Sequence, residues 1–441
     1  MADVTLMKTA AEQQIAAEWE TAKDRLPGPA TLRAAAFERF AHVGLPHRRI
    51  EEWKYTDLRA LMRDAKPLAS PPDAAAKARA RDAGQVLADI DCRRLVFVDG
   101  AFVAELSQLD GLEPGLTIRT MAEALVASDP LVTAHLGKVV SIENDIAVAL
   151  NTALMGDGAV IRVAAGATLE RPLHLVFAAT GDKPASIFTR SLVVIERSAR
   201  VMLVESHEGT GSDYQINTAV ELVIGDAAHV DHVKITAESA TALHVSTLMA
   251  SIGAHARFNT FTFTTGGAVV RNQLFVRFDG DGTIAGIRGA SLLKARQHVD
   301  TTLIAEHVAG GCQSREVFKS VLDDESRSVF QGKIIVQPQA QKTDAKMATH
   351  ALLLSESAEA DNKPELEIFA DDVQCGHGAT AGALDKTLLF YLKARCIPEK
   401  DAEALLIQAF VGEAVEGIEH AGLREALMDN VLAWLAGRGV T

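Results

Sequence analysis

Aromatic residues are scarce in this 441-residue chain: Phe, Trp and Tyr together make up 5%. Cysteine is scarcer, with four residues, Cys92, Cys312, Cys375 and Cys396, each far from the next. That spacing offers no disulfide framework. The first residues hold no apolar run of the secretory kind, so the thiols are expected to be reduced in a cytoplasmic protein. No window approaches the ~18 uninterrupted apolar residues of a membrane span. Positive charge is in deficit as well: 44 Lys and Arg against 58 Asp and Glu give a formal charge of −14. A nucleic-acid binder needs the opposite excess to neutralise phosphates. There is no Walker A run and no strand–GxGxxG–helix unit, which argues against intrinsic nucleotide hydrolysis.

What is present is a hydrophobic fraction of 48%, carried mainly by Val, Ala, Leu and Ile. The chain is long enough for two or three domains. Residues 1–90 are expected to be a helical domain, with Ile15, Trp19, Leu26, Leu32, Ala36 and Phe40 at helical spacing and Pro27 and Pro29 breaking the run. Within it, the Ala- and Pro-rich residues 66–82 read as a linker or mobile loop. Residues 91–145 hold a hairpin, two apolar runs around Asp99-Gly100, and a short helix near Met121–Val126.

From 146 to 383 the texture is strand after strand, and small turn elements recur at Gly166, Ser198, Gly225, Gly253 and Gly282. A period of about 30 residues with no helix inside it predicts a mainly β chain built on a solenoid of stacked strands. An antiparallel sandwich is the second choice, since it gives no reason for an even period. Residues 384–441 read as a helical domain: a first helix capped by Asp385, a second opening at Pro398 with Ala402, Leu405, Leu406, Ala409 and Phe410 on one stripe, and a third carrying Leu423, Leu427, Val431, Trp434 and Leu435. Helical segments at both termini suit the need of a solenoid for caps.

The run Asp371-Asp372-Val373-Gln374-Cys375-Gly376-His377-Gly378-Ala379-Thr380 carries the most chemistry. On a strand, Cys375 and His377 share a face, so a sulfur and an imidazole nitrogen could meet one metal, and Gly376 and Gly378 admit a second surface. Two ligands do not fill a site, and a lone C-x-H is a weak metal signal. From spacing alone, a buried thiol and a hydrogen-bonded histidine at a domain junction is the ordinary reading. His229 and His232 fall on opposite strand faces; with His244 and His255 they read as surface or stacked-rung histidines. Cys312 has no assignable base and reads as a buried or incidental thiol. Asp279, Asp281, Arg288, Lys294 and Arg296 are the groups a β-solenoid polysaccharide lyase or hydrolase would use, yet they show no one-face register.

The runs Gln331-Gly332-Lys333-Ile334, Gln341-Lys342-Thr343-Asp344-Ala345, Leu352-Leu353-Leu354-Ser355, Pro364-Glu365-Leu366-Glu367-Ile368 and Cys375-Gly376-His377-Gly378-Ala379-Thr380 occur in this order. With Arg48-Arg49-Ile50-Glu51-Glu52-Trp53-Lys54-Tyr55-Thr56-Asp57-Leu58 before them and Phe390-Tyr391-Leu392 after, the chain resembles SufD-type members of the SufB/SufD family of the SUF iron–sulfur cluster assembly scaffold over nearly its whole length. The resemblance implies a right-handed parallel β-helix between helical ends. It implies a non-catalytic scaffold that binds a SufB-type sister through its last rungs and a SufC-type ABC ATPase through its C-terminal helices. It places His377, with Cys375, at the sister junction as ligands of a transient iron–sulfur cluster or iron, with no nucleotide of its own. No motif supports a flavin on this chain, and a homodimer of the isolated chain is left open. Two positions depart from the family pattern: Cys396 stands where Gly is usual, at a helix end that favours a left-handed backbone, and His350 stands where an amide is commoner.

Overall fold

A left-handed residue that recurs at one corner of successive turns matches the period in the sequence. In the computed structural model, which describes residues 7–141, 143–181 and 183–438, Gly166, Ser198, Ala227, His255, Gly282, Gly311 and Lys342 have φ between 55° and 71°. Each donates its N–H to a carbonyl of the following turn: Gly166 to Arg197 (2.9 Å), His255 to Asp281 (2.8 Å), Gly311 to Gln341 (2.8 Å). The expected markers Gly225 and Gly253 lie two residues before the left-handed positions. They are glycine for another reason: a Cβ on Gly225 would stand 2.8 Å from the Arg197 nitrogen, and one on Gly253 2.8 Å from that of Asp226.

At this corner the chain passes between two sheets. One contains Ala159–Val163, Ala185–Ile195, Tyr214–Ile224, Leu243–Ile252, Val269–Phe278, His298–His307, Arg327–Val336 and Glu359–Ile368. The other contains Leu173–Ala179, Arg200–Gly209, His229–Ala237, Arg257–Thr264, Ile284–Leu293, Gln313–Leu322, Asp344–Leu353 and Gln374–Gly382. Neighbouring strands within each set pair in parallel, as in His298↔Arg327 and Gln313↔Asp344. The fold is therefore the expected parallel β-solenoid, and parallel pairing excludes the sandwich. Residues facing between the sheets, from Leu95 and Phe97 to Met347, form one continuous core. No turn could bury that surface alone.

The first turn is closed by the chain itself. Arg93–Val98 pairs in parallel with Leu173–Ala179, then turns through Asp99 (φ 48°) and Gly100 (φ 85°) to pair antiparallel with Ala101–Phe102. Two positive φ values are what a tight hairpin turn requires. Leu116–Thr120 lies antiparallel against Ala159–Val163 and covers the other edge.

The helices do not cap the solenoid as expected. Ala10–Ala22, Ala30–Val43 and Ile146–Leu154 pack against the outer face of the first sheet through Ile15, Trp19, Phe40, Leu150 and Val245. Glu399–Val415 and Ala421–Ala436 pack against the outer face of the second through Ile407, Val411, Leu427 and Trp434, which meet Phe261, Phe263 and Leu292. Ile146–Leu154 interrupts the region expected to be all strand. All nine of its residues are buried, so it shows no polar face to betray helical period. Residues 67–69 are no free linker: Ser186 N donates to Pro67 O (2.7 Å) and Ala69 N to Ser186 O (2.9 Å). The stripe expected on Glu399–Val415 is also displaced. Ala402, Ile407, Val411, Ala414 and Val415 are buried, while Leu405 is 46% exposed.

Candidate metal centre at the open end

The final turn consists of Glu359–Ile368 and Gln374–Gly382, each the end strand of its sheet. Among the described residues no further strand pairs with either, and no residue of either strand is fully buried. Gln374 N donates to Thr343 O (2.8 Å), so positions 374, 376, 378 and 380 bond the preceding turn. Residues 375, 377, 379 and 381 then present their N–H and C=O groups to the free edge, because a strand alternates sides. On the other strand Glu359 N donates to Ser326 O (3.0 Å), which puts Pro364 at a free-edge position. A proline there removes a donor that another strand could use. Asp361, Lys363, Glu365 and Glu367 add charges along this strand. Gln374–Gly382 contains neither proline nor charge.

Cys375 pairs with Ala345 and His377 with Met347. Ala345 and Met347 both belong to the core between the sheets, so Cys375 and His377 share the inner face at the mouth of the solenoid. Cys375 is half-buried against that core, whereas His377 is exposed. Burial pushes the Cys375 thiol up, and Asp344 and Glu316 add to it; a thiolate here therefore depends on a metal or another positive charge for stabilisation. A Cβ on Gly376, Gly378 or Gly382 would touch nothing within 4 Å, so this chain's own packing sets no need for glycine there.

Sequence reasoning missed Glu316. Its strand runs parallel to that of Met347 with Glu316↔Met347 in register, below Met347↔His377. By strand spacing it lies about 10 Å below the mouth. It is fully buried, and both its carboxylate oxygens lack a hydrogen-bond partner of good geometry. Burial pushes its carboxyl up to about 7, the Ser314 hydroxyl working the other way. Its signal was a lone acid in phase with the core residue Phe318.

The remaining candidates separate. Cys312 is fully buried, with Sγ 3.3 Å from Gly280 O. His350 bonds Thr380 (2.7 Å) and so ties the last strand to the one before it. Cys396 has φ 64°, the left-handed conformation expected at that helix end. His229 lies beside Asp231 (3.4 Å) at an outer corner. His255 is one of the left-handed corner residues. His232 and His244 are not surface groups: both are buried between the sheets. Asp279 pairs with Arg277, Asp281 accepts from Gly310 N, and Arg288 lies against Gly417 of the C-terminal domain. Lys294 and Arg296 occupy a different corner, so no lyase-like group assembles.

The expected Arg48–Leu58 segment spans the outer face of the first sheet. Arg271 stacks on Trp53 (4.5 Å) and donates to Glu52 O (2.8 Å), which also accepts from Gln331 (3.1 Å). Lys363 of the last turn pairs with Glu51 (2.5 Å). No helix among the described residues is long and apolar enough to cross a membrane.

Comparison with known proteins agrees with this architecture. Residues 22–175 match the SufBD protein N-terminal region, and residues 177–410 match the SufBD core domain of the SUF system for FeS cluster assembly. The iron–sulfur cluster assembly protein SufD of Escherichia coli is 29% identical over 410 residues, covering 91% of this chain and 92% of its own. A SufBD family protein of Synechocystis is 31% identical over 410 residues (90% and 88%), and SufD of Bacillus subtilis 26% over 407 (90% and 92%). Both halves of the chain carry the family's pattern, and the chain belongs to the SufBD family of iron–sulfur cluster assembly proteins.

Proposed function

We propose that this chain is a non-enzymatic scaffold whose last turn is half of a cluster-assembly site. A SufB-type sister subunit would continue the Gln374–Gly382 edge and bring the missing ligands to Cys375 and His377. The observation that carries this reading is the uncovered final turn with a thiol and an imidazole on its inner face. A long edge strand without proline or charge is a template for another strand. Iron and sulfide are cargo in this scheme; the chain's part is to offer one soft and one borderline donor.

The C-terminal domain supplies a second contact. Leu388, Phe390 and Tyr391 on Lys386–Ala394 are 50%, 72% and 52% exposed, and Leu405 on Glu399–Val415 is exposed as well. Such a patch marks an interaction surface, and a SufC-type ATPase is the partner the family relation suggests. Closure of two ATPase copies would reach the last turn through Lys319, which pairs with Glu413 of Glu399–Val415. The chain acts in the cytoplasm.

Anaerobic cluster reconstitution on the complex with both partners tests the site. His377→Ala is expected to abolish cluster formation and Cys375→Ala to reduce it, with the complex intact by size exclusion. Unchanged cluster yield in both variants would remove these residues from the site. A complex with the ATPase that survives deletion of 385–441 would remove the docking role.

A further inference from the structure

A second set of metal-binding donors lies inside the solenoid, far from the open end. His207 ends the inner face of Arg200–Gly209, Glu238 follows His229–Ala237, and His244 begins Leu243–Ile252. One donor atom from each lies within 4.8 Å of the other two. All three side chains are buried, and His207 Nδ1, Glu238 Oε1 and both nitrogens of His244 have no hydrogen-bond partner. Buried polar atoms without a partner are rare, and four at one place ask for an explanation.

Their surroundings orient them. A carboxylate only accepts, so His207 Nε2, 3.3 Å from Glu205 Oε2, carries the hydrogen and Nδ1 carries a lone pair. Glu205 also accepts from His232 (2.8 Å), and the His207 ring is stacked on Phe177 (4.7 Å, 4°). Tyr214 donates its hydroxyl to Glu238 Oε2, which leaves Oε1 free. A far atom tied to an outer partner and a near atom left bare is how metal-binding histidines and carboxylates are held. His244 Nδ1 is 3.3 Å from Glu238 Oε1, about the ligand–ligand separation of a four-coordinate ion with bonds near 2 Å.

We propose that His207, Glu238 and His244 bind one divalent first-row transition ion, of the Fe2+ or Zn2+ class, within the solenoid. Two imidazoles and one carboxylate suit these borderline ions and leave at least one coordination position open. Lys234, which donates to Thr236 (2.7 Å) and Asn272 (3.2 Å), opposes a cation here, and the Glu205 carboxylate offsets it. Two residues beyond Glu238 the chain is exposed again, at Ala240 and Thr241. This site and the one at the last turn share no residue, so either can fail without the other.

Titration of the full chain with Co2+, in a Cys375→Ala/His377→Ala background, tests the proposal. The expected result is about one equivalent bound, with ligand-field bands, no thiolate-to-cobalt charge transfer, and an X-ray absorption spectrum showing two imidazoles. His244→Gln and Glu238→Gln should each weaken binding at least ~100-fold, and Glu205→Gln by about 10- to 100-fold. Because a buried substitution can unfold the chain, circular dichroism accompanies each variant, and the spectrum of the background chain stands alone as a test. No bound Co2+ in that background, a spectrum without imidazole, or unchanged affinity in folded His244→Gln and Glu238→Gln would overturn it.

Discussion

The two ends of the solenoid solve the same problem in opposite ways. At the first turn, Arg93–Val98 with its hairpin partner, and Leu116–Thr120, cover the sheet edges, and Leu95 and Phe97 are buried. At the last turn no described strand pairs with either edge, and the inner face ends in Cys375 and His377. An uncovered edge is a hazard that proteins usually blunt, and this chain blunts only one strand, with Pro364 and charges. The fold is closed by its own strands at one end, and the other end offers an edge that fits the partner-completed site proposed above.

Core truncation should break the symmetry most plainly. Phe97→Ala, which removes a ring packed between Phe102 and Phe177, is expected to cost about 3–5 kcal/mol in urea unfolding of the isolated chain. Leu366→Ala in the half-buried last turn should cost about 1 kcal/mol. Equal costs would mean that the last turn is as well packed as the first.

Titration separates the ends by sign. Burial beside the first turn lowers His174 to about 3, with Arg94 adding to it. The fold thus binds this proton less than the unfolded chain does; stability is full above pH ~6.5 and falls as pH drops toward 3, by several kcal/mol at most. Glu316, near the open end, is pushed up to about 7 by burial. The fold binds its proton more strongly, so stability is greatest below pH ~4.5 and falls as pH rises to 7, by about 3 kcal/mol. Glu316→Gln should flatten that second slope in urea melts taken across pH; an unchanged slope would contradict the assignment.

The smallest effect is at the helix end that follows the last turn. Cys396→Gly relieves a left-handed non-glycine residue and should stabilise the chain by about 0.5–1 kcal/mol. A loss in melting temperature would show that the thiol packs favourably.

The sequence carried the parts of the fold that rest on local chemistry. The Asp99-Gly100 hairpin, the helix Met121–Val126 and the Leu423–Leu427–Val431 stripe were legible because turn residues and single-faced periodicity determine them. The solenoid period was legible because every turn repeats one corner. Ile146–Leu154 was hidden because it is buried on all sides. The buried face of Glu399–Val415 was misread because that helix is apolar on two sides, and only tertiary packing selects Ile407 and Val411 over Leu405. Cys375 and His377 could be placed on one face from spacing alone. Glu316 and the His207–Glu238–His244 group could not be assembled, because strands far apart in sequence meet across the core.

The proposed scaffold role depends on completion of the last turn by a partner. Amide hydrogen exchange of Gln374–Gly382, in the isolated chain and in the complex with a SufB-type subunit, tests it most directly. The free-edge amides of Cys375, His377, Ala379 and Ala381 should slow by at least ~100-fold on complex formation, with residues 93–102 unchanged. Ala379→Pro, which removes one free-edge donor without touching the chain's own ladder, should prevent the complex while leaving the isolated fold intact. Equal exchange of those four amides in both states, or a complex unaffected by Ala379→Pro, would contradict it.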